Sequence, residues 1–153
     1  QLSLEQHWSI YLPVLVVSFI FTVPMIIFSE KNNKSKTFFI LSISLIFLTQ
    51  FLFIYFADGI IGIIIALIVY FIGFNYLEAS LPSLVSKLAP IQRRGLALGV
   101  YNTSQSLGIF VGGSLGGLIA SFYGYQGAFL FCSLPIIIWL FLSISMKMPF
   151  RKN

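Results

Sequence analysis

The sequence predicts an all-α protein, a polytopic membrane helix bundle of five transmembrane spans. Composition is the first reason: 58% of residues are hydrophobic and only 8% charged, where a soluble domain carries roughly a quarter charged. Long uncharged runs are the second. They cover 8–29, 37–57, 59–77 and 95–146, and each is long enough to cross about 30 Å of hydrocarbon. The third is the placement of the nine basic residues, taken up below.

The first span is placed at about 10–29, with Trp8 and Tyr11 at its outer edge as interfacial aromatics. Charges at Glu30, Lys31, Lys34 and Lys36 end it, and a second span follows at about 37–56. Asp58-Gly59 reads as a tight turn in which Asp58 caps the next helix. The third span runs over about 60–80, and Pro82 and Pro90 bound the connection after it. The run from 95 is too long for one crossing. Phe122-Tyr123-Gly124-Tyr125-Gln126-Gly127 favours a turn, which divides it into spans at about 95–121 and 127–146. Pro24 and Pro135 are expected to kink their spans.

Threaded alternately, these spans put 30–36, 81–94 and 147–153 on one side. All nine basic residues fall there: Lys31, Lys34, Lys36, Lys87, Arg93, Arg94, Lys147, Arg151 and Lys152. The positive-inside rule makes that side cytoplasmic, so the amino end is external and the carboxy end cytoplasmic, in a multi-pass protein of the cell's inner membrane. Glu5, His7 and Asp58 remain outside. An exposed lone histidine such as His7 is a candidate pH sensor or an ordinary surface residue. Gln1-Leu2-Ser3 opens the chain without an initiator Met or a basic leader, which leads us to expect a fragment or the later part of a longer chain.

Enzyme chemistry lacks its parts. One His, one Cys and no acidic cluster offer neither a metal site nor a nucleophilic constellation, and one cysteine, Cys132, forms no internal disulfide. No cofactor is implied. The net charge of +5 lies along one membrane face rather than on a folded platform, which argues against nucleic acid as a partner.

The fourth span carries the most specific pattern. Gly95, Gly99, Gly108, Gly112, Gly113, Gly116 and Gly117 include four pairs spaced four apart. Gly costs about 1 kcal/mol against Ala in a helix, so this density points to close helix packing, one small surface above another. Tyr101, Gln105, Gly108 and Gly112 share a face through their 4-3-4 spacing. Asn102 and Gln105 are amides in hydrocarbon; they either bond across a helix interface or face a wet cavity.

Glu78 is the acidic residue placed inside a span, near the cytoplasmic end of the third. A carboxylate at the bilayer centre costs about 2.5–3.5 kcal/mol on insertion scales. Three roles stay open: a proton carrier, a gate ion pair with Arg93 or Arg94, and an anchor at the headgroups.

From Gly99 the spacing reads G(x)8G(x)3GG(x)2GG. It resembles the antiporter motif of the major facilitator superfamily, g(x)8G(x)3GP(x)2GG, with Gly113 in place of the motif's Pro. Together with HWSIYLPVLVVSF, GFNYLEASLPSLVSKLAP and GLALGVYNTSQSLGIFVGGSLGG, the whole chain looks like the carboxy-terminal half of the YajR-like efflux branch of that family. The resemblance implies helices eight to twelve of a twelve-helix fold. The missing Pro and the absence of a GxxxDRxGR signature from 30–36 place the glycine-rich span as helix eleven rather than five. It also implies that helix ten lines a central cavity, that eight and eleven meet an amino-terminal half, and that nine and twelve face lipid. Asn75, Glu78, Tyr101, Asn102 and Gln105 become substrate-cavity candidates. Glu78, Arg93 and Arg94 become candidates for gating or proton coupling. The implied function is part of a secondary active transporter exporting a small molecule or drug in exchange for protons by alternating access. Its partners are then the lipid bilayer, the amino-terminal half, a small-molecule substrate and protons. The alternative is a non-transporting membrane interaction protein or a degenerate transporter relic.

Overall fold

The computed structural model describes residues 8–56 and 59–146. Glu5, His7 and Asp58, and the basic residues Lys147, Arg151 and Lys152, lie outside the described residues. The described chain is helical: α1 (Trp8–Lys31), α2 (Ser35–Phe56), α3 (Ile60–Leu88), a short 3-10 turn (Ile91–Arg93) and α4 (Arg94–Ser145).

α1 and α2 are joined more tightly than the charges at 30–36 suggest. Asn33 takes a left-handed φ of 54°, the Lys34 amide donates to Ser29 O at 2.9 Å, and the Asn33 amide donates to Glu30 O at 3.3 Å. This is a Schellman closure with Asn in the position that usually holds Gly. The Asn32 side chain donates to Phe28 O at 2.9 Å and holds a further carbonyl of the last turn.

α3 runs eight residues past the expected boundary at 80, through Pro82, and ends at Leu88. Its stop is local. Ala89 precedes Pro90 and is held extended at φ −76°, ψ 140°, because the Pro ring disfavours helical geometry in the residue before it. Pro82 therefore lies inside the helix, and Pro90 alone marks the connection.

Four helices are long and apolar enough to cross a membrane, and the fourth is two helical arms joined across a break, so the expected five spans are matched in part. The difference lies in α4. The expected turn at 122–127 is reduced to one residue, Gly124, at φ 69°, ψ −176°, a region essentially reserved for glycine. Gly127 supplies space instead, since a Cβ there would collide with the Tyr123 side chain. A straight helix from 94 to 145 would be about 78 Å long, well beyond the hydrocarbon thickness. The break at Gly124 divides α4 into arms 94–123 and 125–145, and the second runs antiparallel to α2. Lys36 Nζ donates to Ile144 O at 2.6 Å, Phe39 meets Trp139 edge-on at 6.0 Å, and Phe53 stacks on Phe129 at 5.0 Å.

The core forms where α1, α2, α3 and the second arm of α4 meet, around Phe39, Ile43, Ile46, Tyr76 and Leu77. α2 contributes one face to the core, Phe39, Ser42, Ile43, Ile46, Thr49 and Gln50, and leaves Leu41, Leu48 and Tyr55 exposed. The helices approach closely at Gly73, where a Cβ would come within 2.7 Å of the Ser42 carbonyl oxygen, and at Gly62, where it would collide with the Phe56 carbonyl oxygen. Polar groups in this core bond locally. Ser18 donates to Leu15 O, Thr22 to Ser18 O, Ser42 to Phe38 O and Thr49 to Ile46 O, which satisfies hydroxyls that lipid cannot.

α1 and α3 run in the same direction, with Ser18 against Asn75 and Glu30 against Lys87. The α1–α2 turn, the end of α3 and the end of α4 therefore gather at one end of the bundle, where Lys31, Lys34, Lys36 and Lys87 also lie. The first arm of α4 differs from the rest: no residue of 94–123 is buried.

Candidate functional site

The side chain that ties the exposed arm to the bundle is Gln105. Its Nε2 donates to both oxygens of Glu78, at 3.1 Å and 3.2 Å. Glu78 is solvent-facing in this chain and sits ten residues before the end of α3, about 15 Å from it along the axis. It is thus far deeper in its helix than one turn from a boundary.

Neither Arg93 nor Arg94 pairs with Glu78. Among the described residues the side-chain ion pair joins Lys87 Nζ to Glu30 Oε1 at 3.3 Å, with both side chains about half exposed (58% and 51%). Rise along the helices explains the separation: Gln105 lies eleven residues beyond Arg94, about 16 Å further along the arm.

The other candidates divide by face. Tyr101, four residues before Gln105, shares its helix face and is partly buried. Asn75 turns away from this group and donates to Ser18 Oγ on α1 at 3.3 Å. Asn102 is exposed. Thr103 and Ser104 donate to the carbonyls of Gly99 and Val100. The polar belt 101–106 therefore presents Gln105 to α3, with Tyr101 on the same face, and the rest elsewhere.

No helix of the described chain packs on the glycine stripe. A Cβ at Gly99, Gly108, Gly112, Gly113, Gly116 or Gly117 would meet nothing within 4 Å. Close contact between α2 and α3 is permitted instead by Gly73 and Gly62.

Two polar features escaped the sequence reading. Tyr76, almost fully buried, donates to Ser29 Oγ at 3.0 Å. Beside it lies a cavity of about 120 Å³ lined by Ser29, Ser35, Tyr76, Ser80 and Ser83 and flanked by Glu30 and Lys87. A hydroxyl face on α1 at Ser18, Thr22 and Ser29, with helical spacings of four and seven, was the available signal. Among the described residues no group of three or more His, Cys, Asp or Glu could hold a metal ion.

A bundle of apolar helices with a carboxylate–amide contact on an uncovered face suits a membrane carrier, and comparison with known proteins decides the family. Residues 3–152 match the profile of the Major Facilitator Superfamily. The chain belongs to the major facilitator superfamily. Its members are transporters, not enzymes, and this chain is a multi-pass membrane protein of that family. It is 37% identical to the inner membrane transport protein YajR of Escherichia coli (strain K12) over 144 residues, 94% of this chain and 32% of that protein. Over 136 residues it is 31% identical to a transporter of Buchnera aphidicola subsp. Baizongia pistaciae, covering 88% of this chain and 34% of the other. An MFS-type transporter of Methanocaldococcus jannaschii is 29% identical over 110 residues, 72% of this chain and 28% of that protein. The chain thus spans about a third of the length of these major facilitator relatives.

Proposed function

We propose that the chain is the carboxy-terminal bundle of a proton-coupled exporter, helices eight to twelve of a twelve-helix carrier, with its amino end external and its basic end cytoplasmic. The observation that carries this reading is the Glu78–Gln105 contact, which joins α3 to an arm with no fully buried residue. Glu78 and Gln105 belong to the transport cavity, and the open glycine stripe of 99–117 is the surface on which an amino-terminal half rocks. Protonation of Glu78 removes the charge that Gln105 holds and frees the arm to move relative to α3. Arg93 and Arg94 contribute at the cytoplasmic mouth rather than through a static pair with Glu78. Proteoliposomes containing the complete transporter test this. Substrate efflux should move protons inward, and Glu78→Gln should uncouple the two fluxes.

A further inference from the structure

We propose that the hydroxyl-lined cavity between α1, α2 and α3 holds the phosphate headgroup of an anionic phospholipid. The inference stands apart from the role given to Glu78.

Three helices build the cavity at the basic end of the bundle. Tyr76, Ser80, Ser83 and Lys87 follow one another along α3 at spacings of four, three and four, so they share one face of the helix. Ser29 and Glu30 come from the last turn of α1, and Ser35 opens α2. Polarity changes with depth. At the floor the Tyr76 hydroxyl donates to Ser29 Oγ, and Ser29 donates in turn to Ile26 O, so both hydroxyls are satisfied. At the mouth Lys87 and Glu30 stand half exposed, joined by their ion pair.

The walls are where donors remain. Ser42, Ser44, Ser104 and Ser143 each donate to a carbonyl one turn back in their own helix, the ordinary way in which a membrane helix satisfies a hydroxyl. Ser80 and Ser83, in the body of α3, make no such bond among the described residues, and neither does Ser35; all three line the cavity. Lys87 adds to them. An ammonium carries three donors, and one is used on Glu30.

Donors without an acceptor suit an anion. Among the described residues of this end Lys31, Lys34, Lys36 and Lys87 stand against one carboxylate, Glu30, and a cation is poorly served because that carboxylate already has its ammonium. At about 120 Å³ the cavity has the volume of about four waters, which fits one phosphate group and not a nucleotide. Position favours a lipid as its source. The mouth lies at the end of long apolar helices, where headgroups sit, and exposed Ile27 on α1 and Leu88 on α3 offer acyl chains a surface that a free phosphate does not use. Basic pockets between helices hold anionic headgroups in this way.

The test is calorimetric titration of this chain in detergent with short-chain phosphatidylglycerol, phosphatidylethanolamine and phosphatidylcholine, with titration into empty micelles subtracted. Phosphatidylglycerol should bind about fivefold more tightly than either of the others, the preference that one lysine contact supplies. Ser80→Ala combined with Ser83→Ala should remove most of that preference without altering charge, and Lys34→Gln, outside the cavity, should keep most of it, with helix content unchanged by circular dichroism. Equal binding of the three lipids to the wild type, which needs no variant to observe, overturns the proposal. A preference unchanged in the double serine variant also overturns it, because surface charge alone then draws the lipid. Displacement of phosphatidylglycerol by millimolar inorganic phosphate assigns the cavity to a soluble phosphate and overturns the lipid as occupant.

Discussion

Gln105 holds the Glu78 carboxylate through a single amide nitrogen placed 3.1 and 3.2 Å from its two oxygens. The contact joins α3 to the part of α4 that has no fully buried residue, so a polar link contributes to the arm's position. Such a link loosens when its charge is removed, as a moving element requires.

Gln105→Leu should cost little global stability and much local order. Interhelical hydrogen bonds in membranes average about 0.6 kcal/mol, with a maximum near 1.7, so unfolding in detergent should shift within that range. Spin labels at Ile72 and Ile109 should report a broader distance distribution in the variant than in the wild type.

Glycine substitutions should separate by position. Gly73→Val places a side chain against the Ser42 carbonyl, where a Cβ already sits at 2.7 Å; the backbone cannot yield, and α2 and α3 should part with loss of the folded bundle. Gly112→Ala meets nothing within 4 Å and should be tolerated by this chain, with a helix-propensity gain of up to about 1 kcal/mol. Thermal melts followed by circular dichroism compare the two directly.

Gly124→Ala forces an L side chain into φ 69°, ψ −176°. The strain expected for such a conformation is of the order of 1–3 kcal/mol. The arms of α4 should adopt a different relative angle, read as a changed distance between labels at Ile109 and Ile138.

Tyr76→Phe removes the bond from the phenol to Ser29 Oγ. The Ser29 hydroxyl retains its own bond to Ile26 O at 2.9 Å, so no buried donor is orphaned and the cost should be close to one net hydrogen bond, about 1 kcal/mol. Lys87→Met, by contrast, breaks a half-exposed ion pair and should cost between zero and about 1 kcal/mol. A denaturant titration of both variants checks the order.

Hydropathy alone was enough to find the helices, because runs such as 37–57 leave a membrane protein no other fold. It could not set their ends where backbone geometry decides. Asn33 closes α1 by adopting a left-handed conformation, Pro90 stops α3 by constraining Ala89, and Gly124 breaks α4 with one dihedral pair, so the expected fourth and fifth spans meet at a one-residue break rather than a longer turn. Glu78 and Gln105 were both recognisable as polar residues in spans, yet their contact links positions 27 apart through the angle between two helices, which no spacing encodes. Pairing with Arg93 or Arg94 was one of three roles open to Glu78; α3 continues past 80 to Leu88 and carries Lys87 to Glu30. Glycine density marked surface that this chain leaves open, while Gly62 and Gly73, which take close contacts with α2, stand apart from the stripe.

The measurement that tests the account most directly is proton movement driven by substrate in proteoliposomes of the complete transporter, compared between wild type, Glu78→Gln and Glu30→Gln. Wild type and Glu30→Gln should couple substrate to protons, and Glu78→Gln should not. Coupling that survives Glu78→Gln unchanged would contradict the role assigned to the Glu78–Gln105 contact.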